Sequence, residues 1–253
     1  MKPLHLVLAP APGGPWDSPA LGVEARRRAS RRALEAAAHQ AGIQLPDSAY
    51  TPHEQHAAHG ENGVHSEHRR LTPPRDSHGA PLPLGRHHWT VSHTRHFVAA
   101  ALWTGAVGVD VEGQRNPSAA LRERAASSEE RAILANHWQE EEAFARLWTA
   151  KEAVCKATGL GLAGLSRTVL RAVLWAAPWA VNGPTAARAA AADYNARDMR
   201  AEHSDARLSL SCDGAEFTIT QGPVPAAPPH WWSLCAAGDP PLIVHHPAPV
   251  LTP

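Results

Sequence analysis

Apolar and polar positions recur with a clear period in only part of the chain. From about Leu21 to Ala41 the sequence is rich in Ala, Arg, Leu and Glu and has no Pro or Gly after Gly22, which predicts a helix ended by Gly42. Residues 45–86 are polar, rich in His and Pro and almost free of aliphatic periodicity, so a long loop is expected there. Three strands are then expected, Trp89 to His93, Phe97 to Trp103 and Ala106 to Glu112. Thr104-Gly105, a turn of hairpin length, separates the last two, so the three read as an antiparallel meander.

A helix is expected to start near Ser127 or Ser128, whose hydroxyl can cap it, with Glu129 and Glu130 in the first turn where the helix dipole favours carboxylates. Another is expected from Glu140 to Thr158, stopping at Gly159. Leu208 to Cys212 and Phe217 to Thr220 flank Asp213-Gly214 as a hairpin, and Trp231 to Ala236 reads as a further strand. The Ala-rich tract 184–192 and the Pro-rich tract 223–229 read as connectors. Helix followed by hairpin thus occurs twice. The fold class expected is α+β, two similar halves at residues 1–112 and 113–253, each an antiparallel sheet packed with helices.

Composition narrows the function classes. The 253 residues are 43% hydrophobic, enough for a real core, and formal net charge is zero, so global charge favours neither nucleic acid nor a membrane surface. Cys155, Cys212 and Cys235 lie far apart with no CxxC spacing, against both a disulfide framework and a zinc knuckle and in keeping with a reducing cytoplasm. The opening, broken by Pro3 and Pro10, is too short for a secretory signal core, so a soluble, unprocessed chain is expected.

Two segments carry candidate chemistry. In Val107-Gly-Val-Asp110-Val-Glu112 the valines alternate with the acids, so one strand face is core and the other carries two carboxylates, which repel unless water, a cation or basic partners offset them. A solvated strand face is the plain alternative. In Phe144-Ala-Arg-Leu147-Trp148-Thr-Ala-Lys151-Glu152-Ala-Val-Cys-Lys156, helical spacing aligns Phe144, Leu147, Trp148 and Lys151, with Glu152 and Lys156 a turn apart. Glu152 and Lys156 also fit an ordinary surface ion pair, worth about 0.3–0.5 kcal/mol.

Taken with Trp89-Thr-Val-Ser92-His93-Thr94, these segments in this order resemble the 4'-phosphopantetheinyl transferases, especially the longer monomeric type. The resemblance is close from about Pro81 to Leu162. It implies two pseudo-twofold-related halves and transfer of the phosphopantetheine arm of coenzyme A, the co-substrate, to a serine of an apo acyl or peptidyl carrier protein. Mg2+, with Mn2+ as an alternative, would be held by Asp110, Glu112 and Glu152. Glu152, Lys156 and Asp110 are the catalytic candidates, with Glu152 as general base. Lys151 and Lys156 match lysines that contact coenzyme phosphates, Ser92 and His93 the serine-histidine pair at the coenzyme, and Arg31 an arginine for its 3'-phosphate. Trp148 matches an aromatic behind the site and Glu130 a further acid near it. A monomer with neither nucleic acid nor membrane as partner is implied.

One departure stands out: Gly79-Ala80-Pro81 replaces the family's Gly-Lys-Pro, removing a lysine contact with the coenzyme. Arg86, His87 and His88 are the candidates to compensate, and Arg26 to Arg28 to supply charge on the first helix. Alternative readings are a carrier- or coenzyme-binding relative without turnover and a metal-binding protein built on His53, His56, His59, His65 and His68, whose spacing is irregular.

Overall fold

The computed structural model describes residues 3–10, 19–52, 69–77, 79–114, 116–175, 206–224 and 230–245. The first part of the chain forms β1 (Leu4–Pro10), α1 (Pro19–Gln40), β2 (Tyr50–Pro52), β3 (Arg69–Leu71), β4 (His88–His93), β5 (Phe97–Trp103) and β6 (Val107–Gly113). Three helices follow, α2 (Ala119–Ala125), α3 (Ser128–Ala135) and α4 (Glu140–Thr158). The remainder is β7 (Thr168–Trp175), β8 (Ala206–Cys212), β9 (Ala215–Val224), β10 (His230–Ala236) and β11 (Leu242–His245).

Local chemistry accounts for the helix ends. Ser127 and Glu130 form a reciprocal capping box at the start of α3. α4 stops at Gly159, whose φ of 72° carries the chain into the left-handed region that a helix C-terminus favours. Ser118 caps α2, a short helix absent from the expected elements.

Two sheets stack face to face between helices, making an α+β architecture. The first has the order β11-β1-β5-β4 and the second β6-β10-β9-β8-β7, antiparallel throughout except for the parallel pair β1 and β11. Leu4, Leu6 and Leu8 of β1, Ala99 and Ala101 of β5, Val107, Val109 and Val111 of β6, and Trp232 and Leu234 of β10 fill the space between the sheets. α1 covers the outer face of the first sheet through Ala33, Leu34 and Ala37. α4 covers the outer face of the second through Leu147, Ala150 and Val154.

The expected meander is not formed. β4 and β5 pair, but β6 leaves for the second sheet and pairs with β10. Thr104-Gly105 is a crossing between sheets, docked where Ala237 N–H donates to the Ala106 carbonyl at 2.9 Å and the Trp103 indole donates to the Ala237 carbonyl at 2.9 Å. β6 is apolar on the inter-sheet face and closely covered on the other, which suits an edge buried on both sides. The expected division at residue 112 therefore falls inside a strand of the second sheet, and β11 returns from the end of the chain to border the first.

The expected loop 45–86 contains a 3-10 turn at Asp47–Ala49 and the β2–β3 pair, and it buries Leu71 and Leu84. Residues 53–68, with His53, His56, His59, His65 and His68, and the tract 184–192 lie outside the described residues. No helix among the described residues is long and apolar enough to cross a membrane.

Candidate active site

The site is built where α4 lies against β6. A Cβ added at Gly108 would sit 1.9 Å from the Ala153 carbonyl oxygen and 2.6 Å from the Ala157 nitrogen, so only glycine lets the helix backbone approach this strand. That approach brings α4 side chains onto the acidic face of β6.

Asp110 is 2% exposed. Its Oδ1 accepts from the Ser92 hydroxyl at 2.6 Å and from Lys156 Nζ at 2.7 Å, while Lys156 also donates to the Val109 carbonyl at 3.0 Å. Its Oδ2 is buried and meets no donor among the described residues. A buried carboxylate with one oxygen held twice and the other left over is costly unless a further cation or donor arrives. Ser92 reaches Asp110 because β4 runs beside β6, tied by the Val109 N–H donating to Thr90 Oγ1 at 3.1 Å. The resemblance placed Ser92 at the coenzyme; here its hydroxyl orients Asp110, and Thr90 behind it went unnoticed in the sequence.

Glu152, half-buried on α4, faces the same cluster. Burial, then the negative charge of Asp110 and more weakly that of Glu112, push its carboxyl up to about 7, against the opposing pull of Lys156 and Trp148. Three carboxylates thus share one field at the α4–β6 seam, with Glu112 the more open of the two strand acids. The donor set fits a hard divalent cation with oxygen ligands. Among the described residues no three acidic, His or Cys side chains are already arranged around a point that could hold a metal, because Asp110 is turned toward Ser92 and Lys156. A cation such as Mg2+, which keeps waters and takes substrate phosphate oxygens, does not require a closed protein cage.

His93 stands at the end of β4, exposed at its edge. Partial burial, then the positive charges of Arg26 and Lys156, lower its pKa from the ordinary value, while Asp110 opposes them. Cations from both α1 and α4 therefore converge on His93, an arrangement suited to an anionic group. From α1 the contributor is Arg26; Arg31 is engaged with Glu24 at 2.8 Å. Trp148 stacks on Phe144 with ring centroids 5.8 Å apart.

Lys151 is already engaged within the fold. It is 4% exposed, donates to the Ala125 carbonyl at 2.8 Å and pairs with Glu130 at 2.8 Å. Glu130 also accepts from the Ser127 N–H at 2.8 Å and from the Leu170 N–H at 2.7 Å, joining α3, α4 and β7. Both residues thus link α3, α4 and β7 on the α3 side of α4. Arg75 partly fills the neighbourhood of the missing Gly-Lys-Pro lysine: it lies 4.8 Å from the Trp89 ring centroid and donates to the Gly79 carbonyl at 2.6 Å.

Residues 106–192 match the family model of the 4'-phosphopantetheinyl transferase superfamily, a span holding β6, α4 and the cluster's Asp110, Glu112, Glu152 and Lys156. This segment is similar to the domain that defines that superfamily. Over 77 residues it is 35% identical to the 4'-phosphopantetheinyl transferase ffp of Bacillus subtilis, covering 30% of this chain and 34% of that relative. The match thus spans about a third of the relative's length.

Proposed function

We propose that this protein transfers the 4'-phosphopantetheine moiety of coenzyme A to a serine of an apo acyl or peptidyl carrier protein, releasing 3',5'-ADP. The observation that carries the reading is Asp110, buried with Oδ1 held by Ser92 and Lys156 and Oδ2 left without a donor among the described residues, beside a Glu152 carboxyl raised to about 7. Such a centre is short of positive charge, which a pyrophosphate donor bound with a divalent cation would complete.

Asp110, Glu112 and Glu152 are the residues that would hold Mg2+ or Mn2+, whose part is to neutralise charge on the pyrophosphate. The rest falls to side chains of this chain. Glu152, facing Asp110 across the α4–β6 seam, accepts the proton of the carrier serine hydroxyl. Lys156, anchored on Asp110, places its ammonium where charge develops on the leaving 3',5'-ADP. His93 and Arg26 receive a terminal phosphate of the coenzyme, a task in which Arg26 replaces Arg31. Ser92 acts by holding Asp110.

Ser92, Asp110, Glu152 and Lys156 all come from one chain, which supports the longer, monomeric type of enzyme and two halves sharing one site. The three cysteines are free and buried, in keeping with a reducing, cytoplasmic setting. Ala80 favours one second reading, a relative that binds coenzyme A or a carrier without turnover.

Intact-protein mass spectrometry of an apo carrier incubated with this protein, coenzyme A and Mg2+ tests the proposal, with EDTA as control. A metal-dependent mass gain of one phosphopantetheine is expected. Coenzyme A binding with no gain across several unrelated carriers would select the second reading.

A further inference from the structure

Beneath α4 lie three buried polar side chains for which the proposed transfer has no use. Thr149 of α4, Gln221 of β9 and Ser233 of β10 are each 0% exposed. Ser233 Oγ donates to Thr149 Oγ1 at 2.7 Å, and the Thr149 hydroxyl lies 3.0 Å from the carbonyls of Ala145 and Arg146. Gln221 Nε2 donates to Ser233 Oγ and to the Arg146 carbonyl, both at 2.7 Å. Its Oε1 is buried with no partner among the described residues.

The register of the second sheet connects this group to the site. Ser233 is directly opposite Asp110 on β6 and directly opposite Gln221 on β9. Residues opposite one another on adjacent strands share a face, so Asp110, Ser233 and Gln221 form one row across three strands under the helix. Thr149, Ala153 and Lys156 recur at helical spacing and meet the sheet in turn: Thr149 at Ser233, Ala153 at Gly108, Lys156 at Asp110. Apolar packing tolerates a helix sliding along its axis, whereas hydrogen bonds of fixed length and direction do not. Filling this space needed no polar group, and the unpartnered Gln221 oxygen makes the polar choice an unfavourable one for packing alone.

We propose that Thr149, Ser233 and Gln221 are positioning residues that set the axial register of α4 over β6 and β10, and so place Glu152 and Lys156 against Asp110. None of them touches the reacting groups. The inference rests on the reading of Asp110 and Glu152 as a divalent-cation and transfer site.

The test measures Mn2+ affinity by electron paramagnetic resonance, the thermal midpoint, and kcat with KM for the carrier, all on the purified full chain. Thr149→Val keeps the shape of threonine without its hydroxyl, Ser233→Ala removes the central link, and Thr149→Ser restores the bond. Folded Thr149→Val and Ser233→Ala are expected to bind Mn2+ several-fold more weakly and to lose about tenfold to a hundredfold in kcat with the carrier KM unchanged. Thr149→Ser is expected to return both toward wild type. Wild-type Mn2+ affinity and kcat in both folded variants, with only the melting temperature lowered, would overturn the proposal. Should Thr149→Val not fold, Ser233→Ala alone decides. A wild-type chain that binds Mn2+ but modifies no carrier would sink the transfer reading, while the Mn2+ comparison still decides the positioning role.

Discussion

α4 carries two lysine–carboxylate pairs five residues apart, and they are built in opposite ways. Lys151 and Glu130 are both nearly inaccessible, and Glu130 accepts from Lys151 and from two backbone N–H groups. Lys156 keeps 29% of its side chain exposed while Asp110 stays buried with one oxygen unanswered among the described residues. The first pair is complete without a ligand and joins three elements. The second leaves one carboxylate oxygen without a donor among the described residues. Burial and charge are common to both, so neither separates a tie from a site; the accounting of acceptor oxygens does.

The largest expected effect breaks the complete pair. Glu130→Gln leaves Lys151 buried without its counter-charge and should cost about 3–5 kcal/mol of folding stability, read from chemical denaturation. Glu130→Leu combined with Lys151→Met should be less damaging than either single change, because no charge is then stranded. A double variant worse than both singles would show that the pair does more than tie elements together.

Next comes Asp110→Asn, which keeps the shape of the incomplete pair and removes its charge. Transfer is expected to fall about a hundredfold to a thousandfold while the thermal midpoint stays near wild type. Glu152→Gln should behave alike, and substantial activity in either purified variant would reject the assigned roles.

The smallest effect is a pH dependence of the metal-free protein. Glu152 has a folded-state pKa raised from 4.5 to about 7, so the folded chain binds this proton more tightly than the unfolded chain. Its contribution to stability is therefore full below 4.5 and lost as the pH rises through about 7. Melting temperatures in EDTA should decline across that window, and the decline should shrink in Glu152→Gln. An identical slope in both proteins would place the titration elsewhere.

Strong local signals made much of the fold legible in the chain. The Ser127–Glu130 box, Gly159 and the Asp213-Gly214 hairpin each act within a few residues, and the elements they delimit stand where they were expected. β1, β7 and β11 escaped notice because their evidence lies elsewhere. β11 is only four residues long, and its partner Leu4–Val7 lies at the other end of the chain. Thr104-Gly105 has the length of a hairpin turn, but whether the next strand folds back or crosses depends on β10, more than a hundred residues later.

The candidate site divides along the same line. Alternation on one strand and spacing on one helix are properties of the chain; they set Asp110 and Glu112 on one face and Glu152 and Lys156 a turn apart, and the family resemblance of the motifs then singled these four out. Which lysine completes which carboxylate, that Ser92 serves Asp110, and that Arg26 rather than Arg31 approaches His93 depend on which surfaces meet. A periodic pattern specifies the side of an element on which a residue lies, whereas the proton affinity and unmet hydrogen bonds of that residue arise from groups distant in sequence, and only packing α4 against β6 brings those groups within reach.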